Sequence, residues 1–416
     1  MIPKLIICIS LFLLSAIPAS GFKEVRSVMV VMLFIVPLFV LCFTKSMYNR
    51  DYSKLVLPLI SICFLLIFSL NGLIQGSTDL QVVIQAFTVY LSFFIIYHSA
   101  QLAVSLNILT PISITRSILF GTIIFNMLKF IILLAIATQF FALSTVVEYI
   151  HIILGAAVIE YYDPSALTSR ISLANDLLSV IFLCLFVSFD KFTAQVFGAL
   201  RFAKNPVIVI LIAGIIYSFT RYFWILSVVV VISKLFTNPK ALQRSAKYIS
   251  AAIVSGVIAI FILSDTWFFK IASARFGDLE SVSMKQDQST ALLSAANSEA
   301  LALLFGKGLG AYVYDFIRSD YQLFMYEVQL ASFVYQFGII GTIFIMSYLA
   351  YLSYGGVFNF VDCRISKNFI TFFLIVVLLL ASSLTNPYLL TSYCALAWLL
   401  LNSASSIIFA RRTTDV

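Results

Sequence analysis

The residues able to do chemistry here are few: arginines set among apolar runs, and one glutamate at the start of such a run. Arg221 lies within Asn205 to Phe236 (NPVIVILIAGIIYSFTRYFWILSVVVVISKLF), where both flanks read as membrane. An arginine on lipid costs at least about 2.5–3.5 kcal/mol at the bilayer centre, so Arg221 is expected to face a cavity holding an anion, or an acidic partner. The structural alternative is an arginine that snorkels to the headgroups or caps a turn. Arg275 (ASARFGD) closely follows an apolar run and could fold back over the same cavity; Arg170 (LTSRISLAND) and Arg318 (DFIRSD) have similar standing, against the plainer role of solvated loop charges. Arg170 precedes a run that opens with Asn175 and Asp176, polar groups that lipid cannot satisfy and that must face protein or water; Asn175, with Arg170 and Arg318, is expected to contact substrate.

Glu327 stands at the mouth of another apolar run (MYEVQLASFVYQFGIIG), with Gln329 and Gln336 further along it. A carboxylate so placed can serve as a general base, or simply as a helix-start acid favoured by the macrodipole. Tyr326, one of several amphipathic aromatics with Tyr312, Tyr314 and Tyr321, is expected to contact substrate. The run Gly306-Lys307-Gly308-Leu309-Gly310 looks like a phosphate cradle, but Walker A needs Ser or Thr after the lysine and here Gly308 follows it. Chain reversal is its preferred role, an oxyanion nest the alternative. His98 and His151 are far apart and no paired-acid cluster accompanies them, so neither metal nor cofactor is expected.

The elements that must position these residues follow from composition. Of 416 residues 62% are hydrophobic and only 11% charged, well under the charge of soluble domains. A helical bundle in lipid is the architecture left, because the alternation of a membrane barrel is absent. The net charge of +8 does not point to nucleic acid, since the bases fall in short loops that set topology. The six cysteines lie singly, without metal or disulfide spacing.

Apolar runs predict about twelve membrane helices, near 3–20, 28–44, 55–71, 82–98, 117–139, 171–189, 204–219, 222–236, 248–264, 329–352, 369–384 and 388–409. The first could be a cleaved leader, but the count favours keeping it as a span. Basic loops such as Lys191 to Lys204 and Lys234 to Lys247 mark the cytoplasmic side, with both termini there; only the loop with Lys23 and Arg26 fits poorly. The chain then divides into helices 1–9 (1–264), a long extracytoplasmic loop (265–326) and helices 10–12 (327–416) in one integral-membrane domain. Within the loop, Thr290 to Phe305 predicts an amphipathic surface helix.

Arginines on the outer face of a membrane cavity suit a lipid-linked diphosphate, because guanidinium binds phosphate bidentately and keeps its charge when desolvated. A carboxylate among them suits deprotonation of a sugar hydroxyl. At this point the chain resembles the Wzy-type O-antigen polymerases, within the wider group of O-antigen polymerases and ligases. The likeness covers most of the span layout. It is sharpest at FTRYFW (Arg221), RFGDLE (Arg275), GKGLGAYVYDF through YEVQLASFVYQFGIIG, and SLTNPYL (Ser383 to Leu389).

The resemblance implies a fold like that of GT-C-type glycosyltransferases in a bacterial inner membrane. It implies a periplasm-facing site that joins undecaprenyl-diphosphate-linked oligosaccharide repeats, with Arg221 and Arg275 on the diphosphate and Glu327 as base. A chain-length regulator and a flippase of the same pathway would be partners. The ligases, which move glycan onto a lipid A core, typically have a His where Glu327 stands, and this departure weighs against them. A flippase or transporter would show repeats and midplane charges, which are not evident.

Overall fold

The protein is described by a computed structural model covering residues 2–17, 22–43, 53–75, 78–137, 158–160, 170–172, 175–218, 223, 225, 280–316, 323–357, 367–384 and 389–409. Helices make up nearly all of them: α1 (Ile2–Ala16), α2 (Lys23–Phe43), α3 (Ser53–Ile74), α4 (Leu80–Ser105), α5 (Pro111–Ala137), α6 (Asp176–Ser188), α7 (Asp190–Phe197), α8 (Lys204–Ser218), α9 (Glu280–Ala296), α10 (Ala300–Phe305), α11 (Gln329–Val357), α12 (Lys367–Leu384) and α13 (Ser392–Phe409). Strands β1 (Val158–Glu160) and β2 (Arg170–Ser172) pair antiparallel with Glu160 opposite Arg170, a short addition to the all-helical expectation.

Among the described residues, seven helical stretches are long and apolar enough to cross a membrane: in α2, α3, α4, α5, α7 through α8, α11 and α13. The α7–α8 stretch bends where Gly198 adopts φ 53° and a 3-10 turn intervenes. Helices α1 and α6, and the stretch Asn368–Ala381 of α12, are shorter apolar segments. Apart from Phe223 and Ile225, the expected spans near 222–236 and 248–264 lie outside the described residues. Phe34, Ile35 and Phe39 of α2, Ile67 and Leu70 of α3, and Ile131 of α5 all point outward, an arrangement stable in hydrocarbon and not in water.

Local chemistry explains the turns. At the end of α4, Asn107 adopts φ 57°, Ile108 N donates to Ala103 O (2.9 Å) and Asn107 N to Val104 O (3.0 Å), a Schellman stop with Asn in the left-handed position. Thr110 and Ser113 then exchange reciprocal bonds, Ser113 N to Thr110 Oγ1 at 3.2 Å and Thr110 N to Ser113 Oγ at 3.0 Å. With Pro111 in the first turn, this starts α5 immediately. At the same end of the bundle, Arg116 donates to the last carbonyls of α7 and Lys191 to Ile408 O of α13, where cations complement helix C-termini.

Helix α13 is almost wholly buried, packing on α4, α5 and α11 as the axis of the bundle. Helix α1 packs on α5 and α2, burying Ile7, Leu11 and Leu14. Residues Ile17, Gln75 and 389–391 gather at one end together with residues 280–316 and 323–327, through bonds described below. This is the loop end.

The surface helix expected over 290–305 is two helices. Helix α9 starts at Glu280 and stops at Ala296, and α10 follows after the turn at 297–299, where Ser298 Oγ bonds back to Ala295 O. Short polar side chains that bond their own backbone favour such a stop. Helix α9 turns Gln288, Leu292 and Ala296 onto α11, so the face expected to lie on lipid is seated on protein.

Candidate functional site

Helix α11 begins two residues after Glu327, and the two backbone donors just before it are met by another helix. The buried side chain of Gln288 accepts from Glu327 N (3.0 Å) and Val328 N (3.3 Å), groups that a helix start leaves without internal partners. One turn earlier on the same face of α9, Lys285 Nζ lies 3.3 Å from Glu327 Oε2, with side chains 35% and 24% exposed. The carboxylate therefore reaches solvent at the loop end with a cation beside it.

Tyr326 is buried, and its hydroxyl accepts from Val313 N (2.6 Å). Burial pushes this phenol up to about 12, against the lowering pull of the Val313 bond, so it stays neutral at ordinary pH. Its ring packs with Leu292, Ala296, Ala311, Ala331 and Tyr335, seating α9 on α11.

The glycine run completes this part of the site as a chain reversal. Helix α11 breaks at Gly338 (φ 66°), and the loop fills the break: Lys307 N donates to Tyr335 O (2.8 Å) and Gly308 N to Gln336 O (3.0 Å). Leu309 N bonds Phe68 O (2.9 Å), six residues before the end of α3, so the loop dips about 9 Å along that helix. Asn71 and Gln75 donate to Gly306 O. With Gly310 N on Gln336 Oε1 (3.3 Å), the amides of residues 307–310 are all engaged by protein. They form no oxyanion nest, and the irregular backbone is tolerated because protein surrounds it.

A polar seam crosses the loop end from Glu327. Leu389 N donates to Gln329 Oε1 (2.8 Å). Three residues on, Ser392 Oγ and Tyr393 OH accept from Arg26, whose guanidinium also binds Ile17 O (2.6 Å) and lies 5.0 Å from the Tyr393 ring centroid. Arg26 is buried in the first turn of α2 and is no loop residue, which explains its poor fit to the orientation rule. Asn175, fully buried, donates to Ser15 O (2.8 Å), and among the described residues its Oδ1 has no hydrogen-bond partner. Next to it, Asp176 pairs with Lys129 of α5 (3.0 and 3.2 Å), and Lys129 also donates to Gly214 O of α8 (3.2 Å). A Cβ at Gly214 would stand 1.9 Å from Asn126 Oδ1, so glycine is what lets α8 approach this pair.

Of the residues singled out from sequence, Glu327 and Tyr326 share the start of α11, and Asn175 sits across the seam. Arg170 is placed by its backbone in β2. Arg221, Arg275 and Arg318 lie outside the described residues. Sequence reasoning missed Lys285 and Gln288, joined to Glu327 only by long-range contact. It also passed over Lys129, although a lysine within an apolar span is the same signal that drew attention to Arg221.

Fold and site define a multi-pass helical membrane protein with a lysine-flanked glutamate at one end of its bundle. Neither a protein-family model nor a curated protein matches the chain.

Proposed function

We propose that the protein is an O-antigen-type polymerase, joining undecaprenyl-diphosphate-linked oligosaccharide repeats at the periplasmic face of a bacterial inner membrane. The observation that supports this is Glu327: a solvent-reaching carboxylate whose backbone is held at a membrane-helix start, at the loop end of a helical bundle. In this reading the acceptor hydroxyl passes its proton to Glu327 as its oxygen bonds the anomeric carbon. The bond from that carbon to the diphosphate oxygen breaks, and the electron pair leaves with the lipid diphosphate. Arg221 and Arg275 clamp the leaving group. Arg170 and Arg318 add weaker substrate contacts, while Asn175 and Tyr326 hold the surrounding helices.

The test is extension of a lipid-linked repeat by the protein in proteoliposomes. Glu327→Gln, which keeps the shape and removes the basicity, is expected to slow extension about 10²–10⁴-fold, and Arg221→Ala to abolish polymer. Undiminished extension by an abundant Glu327→Gln protein removes this glutamate from the chemistry. Transfer onto lipid A core in place of chain growth makes the protein a ligase; movement of substrate with no new glycosidic bond makes it a transporter.

A further inference from the structure

Helix α9 presents Lys285, Gln288, Leu292 and Ala296 at helical spacing along one face, and that face meets the start of α11 in two ways. Its later half is apolar and packs with Ala331 and Tyr335, which fixes how α9 sits. Its earlier half is polar and meets Glu327 at two points: Gln288 Oε1 on the Glu327 and Val328 amides, and Lys285 Nζ on the carboxylate. An ordinary cap comes from the residue preceding its own helix; here the acceptor comes from 39 residues earlier in the chain.

We infer that Lys285 and Gln288 are positioning residues for Glu327, a two-point clamp that sets its backbone and aims its carboxylate. The inference rests on the glycosyl-transfer reading of Glu327 and deepens it by naming what orients the base. Gln288 acts through the peptide: without its oxygen, two amides at the helix start lose their acceptor and the first turn of α11 frays. Lys285 acts through the side chain, favouring the carboxylate orientation that brings Oε2 to 3.3 Å from its ammonium. Misplacing a reacting group by about 1 Å costs up to about 100-fold in rate, so the clamp's effect belongs in turnover and not in substrate affinity.

The experiment compares wild type with Gln288→Met, Lys285→Met and Lys285→Arg, each full-length in proteoliposomes, by extension kinetics and by hydrogen exchange over residues 325–332. Gln288→Met is expected to speed exchange in that segment and lower kcat about 10–100-fold with KM within about twofold. Lys285→Met is expected to lower kcat about tenfold, with Lys285→Arg restoring most of it because the cation is kept. Wild-type kcat in both methionine variants, alongside an inactive Glu327→Gln, overturns the inference; so does a loss in Lys285→Arg equal to that in Lys285→Met. If the wild type extends no glycan, the functional reading falls alone. Exchange then decides: acceleration in Gln288→Met upholds the clamp, and an unchanged rate overturns it. Should Gln288→Met fail to accumulate, the two Lys285 variants decide between the same outcomes.

Discussion

Two lysine–carboxylate pairs in this protein make nearly the same contact in opposite surroundings. Lys129 and Asp176 meet at 3.0 Å with side chains 1% and 0% exposed, whereas Lys285 and Glu327 meet at 3.3 Å and both reach solvent. In the sealed pair Lys129 also bonds Gly214 O, so one ammonium ties α5, α6 and α8 at a single point. Neither of those charges can turn to water or to a ligand. The open pair has water at hand, and its carboxylate can exchange a lysine contact for a substrate hydroxyl. Burial, more than distance, separates a charge pair committed to holding helices together from one able to react.

The contrast is tested most severely by removing half of the sealed pair. Lys129→Met takes the ammonium away from a buried carboxylate, and breaking a buried pair in this way is expected to cost about 3–5 kcal/mol. The detergent-solubilised protein should then melt far below wild type or fail to run as a single species on gel filtration. The double variant Lys129→Met/Asp176→Leu, which removes both charges, should recover most of the loss, because replacing an entire buried pair by apolar side chains is often neutral. Wild-type melting in the single variant would show that the pair does not hold the three helices.

A smaller effect is expected at the glycine turn, which braces the open pair's end of the molecule against α3. Gly308 has φ 96°, and a Cβ there would stand 2.1 Å from Gly72 Cα. Gly308→Ala is therefore expected to cost at least about 1–3 kcal/mol of strain and to expose residues 297–316 to faster limited proteolysis. Cleavage at the wild-type rate would mean that the turn does not anchor this end.

These tests also mark where sequence is informative. The α4–α5 turn is legible because its signals, Asn107, Thr110 and Pro111, act within a few residues. The inward direction of Asn175 and Asp176 is legible because lipid satisfies neither, and both are fully buried. Their surroundings are not. Lys129 is one of two cations in a helix of 27 residues, averaged away in any apolar window, and its partner lies 47 positions on. Arg26 reads as a misplaced loop base because the groups that bury it, Ser392 and Tyr393, are 366 and 367 positions distant. The stop at 297–299 is hidden for a different reason: apolar periodicity continues across it, and only the docking of α9 on α11 shows two helices. Glu327 is recognisable by its place at the start of an apolar run, but its clamp is a tertiary contact with no local sequence mark.

The smallest expected effect is the most discriminating. Lys285→Met removes the same kind of group as Lys129→Met, yet an exposed ion pair contributes under about 1 kcal/mol, so its melting temperature should stay close to wild type. Salt should weaken this pair further and leave the sealed one unaffected, because mobile ions reach only the first. A Lys285→Met protein that melts near wild type but turns over slowly would place the lysine's contribution in aiming Glu327. One that melts as low as Lys129→Met would make both pairs structural, and the difference in burial would then not separate holding from reacting.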